Sequence, residues 1–100
     1  MAGRRPYRVD DQGWAEVEAA REWYGERSGD AGSAFVLEVI EAFETISHAP
    51  ERWPMYLYGT RRYLLRRFPF SIVYLDDPDV VTIVAVAHTS RRPGCWRRRV

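Results

Sequence analysis

The chain has 100 residues, of which 46% are hydrophobic and 14% aromatic. That apolar content excludes a disordered chain and predicts one domain with one core, spanning residues 1–100. The single cysteine, Cys95, excludes an internal disulfide, and no metal site or cofactor motif is evident. No apolar run approaches the roughly 20 residues that cross a bilayer, and the first residues lack the apolar run of a signal peptide. We therefore expect a cytoplasmic protein without a membrane anchor.

The net charge of +1 conceals an uneven distribution along the chain. Residues 1–51 hold 5 Arg against 11 Asp and Glu, a net of −6, whereas residues 52–100 hold 10 Arg against 3 Asp, a net of +7. Lysine is absent, which codon usage explains, but codon usage does not explain why the arginines cluster in one half. The second half is therefore predicted to present a cationic surface to a polyanion or an acidic partner.

The acidic half is typical of an αα-hairpin over about residues 13–48. In the first helix, apolar residues recur three and four positions apart, with glutamates between them. A turn is predicted over residues 28–32, and a second apolar stripe then continues until it ends before Pro50. The stripes are Trp14, Val17, Ala20 and Tyr24 in the first helix, and Phe35, Val36, Val39, Ile40, Phe43 and Ile46 in the second. The short connection makes the helices antiparallel neighbours.

The basic half predicts three or four short strands over about residues 55–88, followed by a basic tail, residues 89–100. Runs rich in aromatic and β-branched residues cover residues 55–58, 63–68, 70–75 and 80–87. A turn at residues 76–79 makes the last two runs an antiparallel hairpin. The predicted fold is α+β, with the N-terminal αα-hairpin on one face of a three- to four-stranded antiparallel sheet.

The last predicted strand, residues 80–87, is apolar on both faces, which a sheet with one solvated face would not be. Two explanations remain open from the sequence. Either the tail and the aliphatic stems of arginines cover the second face, or a partner protein completes the fold there.

Four segments in succession resemble toxins of the RelE/ParE family, which are also called plasmid stabilisation proteins. They are AREWYGERS in the first helix, APERWP after the second, RRYLLRRFPFSIVY in the first strands and VAVAHTSRRPGCWRRR at the end. The resemblance covers about residues 7–99. It implies the RelE/ParE toxin fold and a growth-arresting toxin of a type II toxin–antitoxin module, neutralised by a cognate antitoxin whose flexible part wraps over it.

The resemblance leaves the cellular target open. ParE-like members inhibit DNA gyrase and are not nucleases, whereas RelE-like members cut mRNA in the translating ribosome. We favour the ParE-like side, because the chain has no lysine and few groups suited to acid–base catalysis. A third alternative is an inactive family member that only binds an antitoxin.

A ribonuclease would need an acid or base near cationic groups that stabilise the extra phosphate charge. Arginine cannot serve as the base, so the candidate catalytic set is His88 with Arg67, Arg62 and Tyr74. Strand alternation predicts that Arg62 and Arg66 point one way and Arg61 and Arg67 the other. The candidate residues for contact with the target or a phosphate are Arg61, Arg62, Arg66, Arg67, Arg91, Arg92 and Trp96. Trp96 has a second interpretation, as a hydrophobic latch that folds the tail onto the sheet.

Overall fold

The computed structural model describes residues 5–100, in which two helices pack against one face of a four-stranded sheet. The helices are α1 (Asp11–Arg27) and α2 (Gly29–His48). The strands are β1 (Tyr7–Val9), β2 (Arg61–Leu64), β3 (Phe70–Asp76) and β4 (Val81–His88). Residues 1–4, which the sequence analysis includes in the single domain, lie outside the described residues. The predicted α+β class is confirmed, and no helix of residues 5–100 is long and apolar enough to cross a membrane.

The helical hairpin is tighter than the sequence predicts. The predicted turn over residues 28–32 is wrong, because Ser28 alone joins the helices and Gly29 already begins α2. At Gly32 the helices approach so closely that a Cβ atom would lie 2.7 Å from the Arg21 carbonyl oxygen. Gly32 lies inside α2, not in the predicted turn, and its missing side chain allows α2 to pack closely against α1.

The sheet is mixed, which corrects the predicted all-antiparallel sheet. β2, β3 and β4 pair antiparallel as predicted, but β1 lies on the other side of β4 and pairs with it in parallel. The sequence analysis missed β1, whose three residues are too few for a periodic pattern to identify. The strand order is β1-β4-β3-β2.

The predicted strand at residues 55–58 is also wrong. Met55 forms one isolated bridge with Arg61, and the chain then makes a 3-10 turn over Leu57–Gly59. Tyr58 and Gly59 both have a positive φ, of 56° and 77°, which is incompatible with an extended strand. The predicted strand at residues 63–68 is also displaced: β2 ends at Leu64, and a loop connects it to β3.

The main core lies between the helices and the sheet. The second apolar stripe supplies four residues that are completely buried, Phe35, Val39, Phe43 and Ile46. From α1, only Val17 and Ala20 of the predicted stripe are buried, and Trp14 stays 40% exposed. The rest of the core comes from one face of β3 and β4, mainly Ile72, Tyr74, Ile83 and Val86.

The tail covers the opposite face of the sheet. The Trp96 ring is 2% exposed and forms a second apolar cluster with Val73, Val84 and Ala85. Beyond it, Arg99 donates to the Glu16 carboxylate at 2.9 Å and to the Val84 carbonyl at 3.1 Å. The hydrogen bond that Arg99 donates to Glu16 raises the pKa of Arg99. Of the two explanations for the apolar β4, the tail accounts for the coverage of this second cluster.

Candidate functional site

The candidate site is a small pocket on the sheet face that the tail covers, here called the basic pocket. Parts of β2, β3 and β4 and the start of the tail meet there. Its volume is about 80 Å³. The polar groups that carry its chemistry come from Arg62, Ser71, His88, Thr89, Arg91 and Arg92. No carboxylate lines it, so the pocket concentrates positive charge that nothing nearby neutralises.

Three of its arginines have no acidic partner in the described part of the chain. Neither a hydrogen bond nor an ion pair engages the guanidinium of Arg62, Arg91 or Arg92 within residues 5–100. The Arg62 guanidinium instead stacks over the Tyr56 ring, 4.3 Å from its centroid. This stacking holds one cation at the pocket wall while leaving its N–H donors available.

His88 ends β4 and lines the basic pocket together with these arginines. Its Nδ1 accepts a hydrogen bond from the Ser90 backbone N–H at 3.0 Å and lies 2.7 Å from the Ser90 hydroxyl. The ring also packs edge-on against Phe70, with centroids 5.2 Å apart. Because Nδ1 is occupied as an acceptor, the neutral ring carries its hydrogen on Nε2 and can offer only a donor from that nitrogen. The geometry is that of a binding group rather than of a general base.

Two further candidates from the sequence serve the fold instead of the pocket. Arg61 donates to Asp76 at 3.2 Å and to the Trp53 carbonyl at 2.6 Å, on the helix side of the sheet. The Tyr74 side chain is completely buried, and its hydroxyl donates to the Pro50 carbonyl. Burial raises the pKa of Tyr74, which removes it as an acid or base near neutral pH. Tyr74 as a catalytic residue is therefore a wrong prediction.

The predicted alternation of Arg62 with Arg66 and of Arg61 with Arg67 is wrong, because β2 ends at Leu64. Arg66 and Arg67 lie in the loop before β3, where their backbone N–H groups donate to one Glu38 oxygen at 2.6 and 3.2 Å. The Arg67 side chain donates to the other oxygen at 3.0 Å. Both arginines line a separate groove beside α2, so neither joins the basic pocket.

Trp96 also lines the basic pocket, but its ring is nearly all buried under the tail. The latch interpretation is therefore confirmed. Direct contact of the ring with a target is wrong, because a side chain that is 2% exposed presents almost no surface. Cys95 is an exposed free thiol nearby. No cluster of side chains in the part of the chain that the structure describes has the composition of a metal site.

The sequence analysis missed a second, more apolar groove between α1 and the sheet. Its volume is about 320 Å³, and its walls include Trp23, Tyr24, Phe70 and Val86. Trp23 is 51% exposed, with the Arg27 guanidinium 3.5 Å above its ring. An available signal was the pair Trp23-Tyr24 in a helix whose apolar stripe has room for only one of the two rings.

Comparison with known proteins identifies the relatives of this chain. The family model for the ParE toxin of the type II toxin–antitoxin system, parDE, matches residues 7–93. A solved structure, described as the chromosomal ParDE TA system from P. aeruginosa, superposes with a TM-score of 0.76 at 16% sequence identity. The match covers 85% of this chain and 96% of that one, and it shows a shared fold. No curated protein matches the chain.

Proposed function

Since the chain belongs to the ParE family of type II toxins, we propose that it arrests bacterial growth by inhibiting DNA gyrase and that the basic pocket is part of the inhibitory surface. The observation that carries the assignment of the surface is the set of three guanidiniums without acidic partners, Arg62, Arg91 and Arg92. Like charges held next to one another repel, and an anionic ligand would relieve that repulsion. A surface that keeps them together is therefore best explained by an anionic or acidic target.

The composition of the pocket favours a binding protein over a ribonuclease. Cleavage of RNA by its own 2′-hydroxyl needs a base that removes a proton. Tyr74 is buried, Arg67 is paired with Glu38 elsewhere, and the Nδ1 of His88 is occupied by Ser90. These contacts leave no predicted catalytic group free in the pocket to serve as the base, so we expect no catalytic turnover.

We further propose that a cognate antitoxin neutralises the toxin in the cytoplasm. The structural relative from P. aeruginosa is described as a ParDE toxin–antitoxin system. The groove at Trp23 offers apolar area for a partner segment, and it opens beside Arg91 and His88 of the basic pocket. One acidic, apolar segment in that groove would mask both surfaces, and opposite charge would accelerate its association.

Supercoiling of relaxed plasmid by purified gyrase tests the proposal. The full-length toxin should inhibit supercoiling, and addition of its antitoxin should restore it. Changing Arg62→Ala and Arg91→Ala together should weaken inhibition at least tenfold, because two compensating contacts of about 1 kcal/mol or more are lost. The matched control is Arg21→Ala with Arg52→Ala, which removes the same charge from arginines outside the pocket and should leave inhibition unchanged.

Other outcomes would identify the alternatives. Normal supercoiling together with cleavage of mRNA on translating ribosomes would establish the RelE-like activity. Tight antitoxin binding without effect on gyrase, ribosomes or growth would establish an inactive member that only binds an antitoxin. Either result would contradict gyrase inhibition.

A further inference from the structure

We propose that the basic pocket binds a backbone phosphate of DNA, so that the toxin contacts the nucleic acid as well as the enzyme. The inference rests on the proposed function, because DNA is the polyanion that gyrase holds. It concerns the chemical class of the ligand, which a cationic surface alone does not determine.

The polar side chains that line the pocket supply hydrogen-bond donors. Guanidinium groups come from Arg62, Arg91 and Arg92. The Ser71 side chain is 7% exposed, and its hydroxyl has no hydrogen-bond partner in residues 5–100. The hydroxyl is still reached by solvent, since no fully buried side-chain polar atom of residues 5–100 lacks a partner, and it is therefore available to a ligand.

The donor set fits a phosphate better than a carboxylate. Arginine binds both groups bidentately, but a phosphodiester, with two charged oxygens and two ester oxygens, offers more acceptor atoms to three guanidiniums and a hydroxyl than a carboxylate does. At about 80 Å³, the pocket is far below the roughly 300–1,000 Å³ of sites that enclose a whole small molecule. It therefore accommodates one group of a larger ligand that continues across the surface.

The surface next to the pocket continues the same chemistry. Trp96 connects the pocket to Tyr58, with ring centroids 5.9 Å apart. Tyr58 is 50% exposed and carries the Arg97 guanidinium 4.8 Å from its ring centroid. Cations interleaved with aromatic rings are typical of surfaces that follow a nucleic acid backbone. A strand seated in the pocket would meet this second cation without any change in the fold.

Fluorescence anisotropy with a labelled 20-base-pair DNA duplex, measured for the purified toxin over a series of salt concentrations, tests the inference. Each phosphate contact contributes about one unit to the slope of log Kobs against log salt. Because the pocket holds one phosphate, the slope should become shallower by about one unit for Arg62→Ala with Arg91→Ala. It should fall by less than half a unit for the control, Arg21→Ala with Arg52→Ala.

A second arm uses Ser71→Ala, which changes no charge. This variant should weaken DNA binding severalfold at constant salt and leave the slope unchanged, whereas a surface that attracts DNA only diffusely would not respond. Inorganic phosphate in place of DNA distinguishes the source of the ligand. Millimolar phosphate that shifts the Arg62 and Arg91 side-chain NMR signals, with DNA slopes equal in all variants, would overturn the DNA assignment.

The result is separable from gyrase inhibition because the duplex assay contains no gyrase. If the salt slopes of DNA binding are equal for all variants, but Arg62→Ala with Arg91→Ala no longer inhibits gyrase, DNA contact is overturned. The pocket would then bind an acidic protein surface. The expected slopes without any gyrase inhibition would support the phosphate site and contradict the proposed function.

Discussion

The role of each arginine depends on its partner, and the sequence does not reveal the partner. Nothing in the sequence distinguishes Arg61 and Arg67 from Arg62, yet in the structure Arg61 pairs with Asp76 and Arg67 with Glu38. The pairing Arg67–Glu38 joins positions 29 residues apart, which no local pattern indicates. Sequence reasoning therefore identified the cationic half correctly but could not separate the arginines that stabilise the fold from those that remain without a partner.

Glu38 supports the loop that leads into β3, and its removal should show in the pH dependence of stability. Burial would raise the pKa of Glu38, but hydrogen bonds from the backbone N–H groups of Arg67 and Arg66 and from the Arg67 side chain lower it overall. Because the pKa is lower in the folded protein, the ionised group stabilises the fold fully above its ordinary pKa, and this contribution is lost as the pH falls through the folded value.

We expect Glu38→Gln to lower the free energy of unfolding by about 1 kcal/mol at pH 7, since it weakens charge-assisted hydrogen bonds that solvent partly screens. Urea unfolding at pH 7 and pH 3 measures the difference. The difference from the wild type should shrink at pH 3, and Glu41→Gln on the same helix should have little effect at either pH. A deficit of equal size at both values would contradict the role of the charge.

At the scale of elements, long periodic segments were predictable and short or non-local ones were not. Both helices and the antiparallel β3–β4 pairing follow from periodicity and from the turn between these strands. β1 escaped because three residues carry no period and its parallel pairing with β4 joins distant positions. The short connection at Ser28 escaped because glycines usually mark turns, whereas here one of them lies at a helix crossing.

The helix crossing gives the second stability prediction. Gly32→Ala should destabilise the protein by about 1–3 kcal/mol, because the new methyl group meets the Arg21 carbonyl oxygen, which cannot move without shifting α1. Gly25→Ala is the matched control, since its Cβ would have nothing within 4 Å. It should stabilise the protein by about 0.5–1 kcal/mol through helix propensity. Thermal unfolding of both variants tests the pair, and equal effects of the same sign would contradict the proposed contact.

At the scale of the whole molecule, acidic and basic side chains lie on different surfaces. The glutamates of the N-terminal half lie mostly on the outer sides of α1 and α2, whereas Arg62, Arg91 and Arg92 meet on the other face of the sheet. The tail makes this arrangement possible: Trp96 buries the apolar second face, and the Arg99–Glu16 pair holds the end of the chain. The fold thus places the basic pocket on the sheet face where the tail packs, away from most of the glutamates.

The most direct test of the account is growth arrest in bacteria that express the chain without antitoxin. Arg62→Ala with Arg91→Ala should abolish arrest at equal protein level and unchanged melting temperature, because neither side chain has a hydrogen bond within the described residues to lose. Arg21→Ala with Arg52→Ala should arrest growth as the wild type does. Full arrest by the Arg62/Arg91 variant would contradict the claim that the basic pocket is the toxic surface.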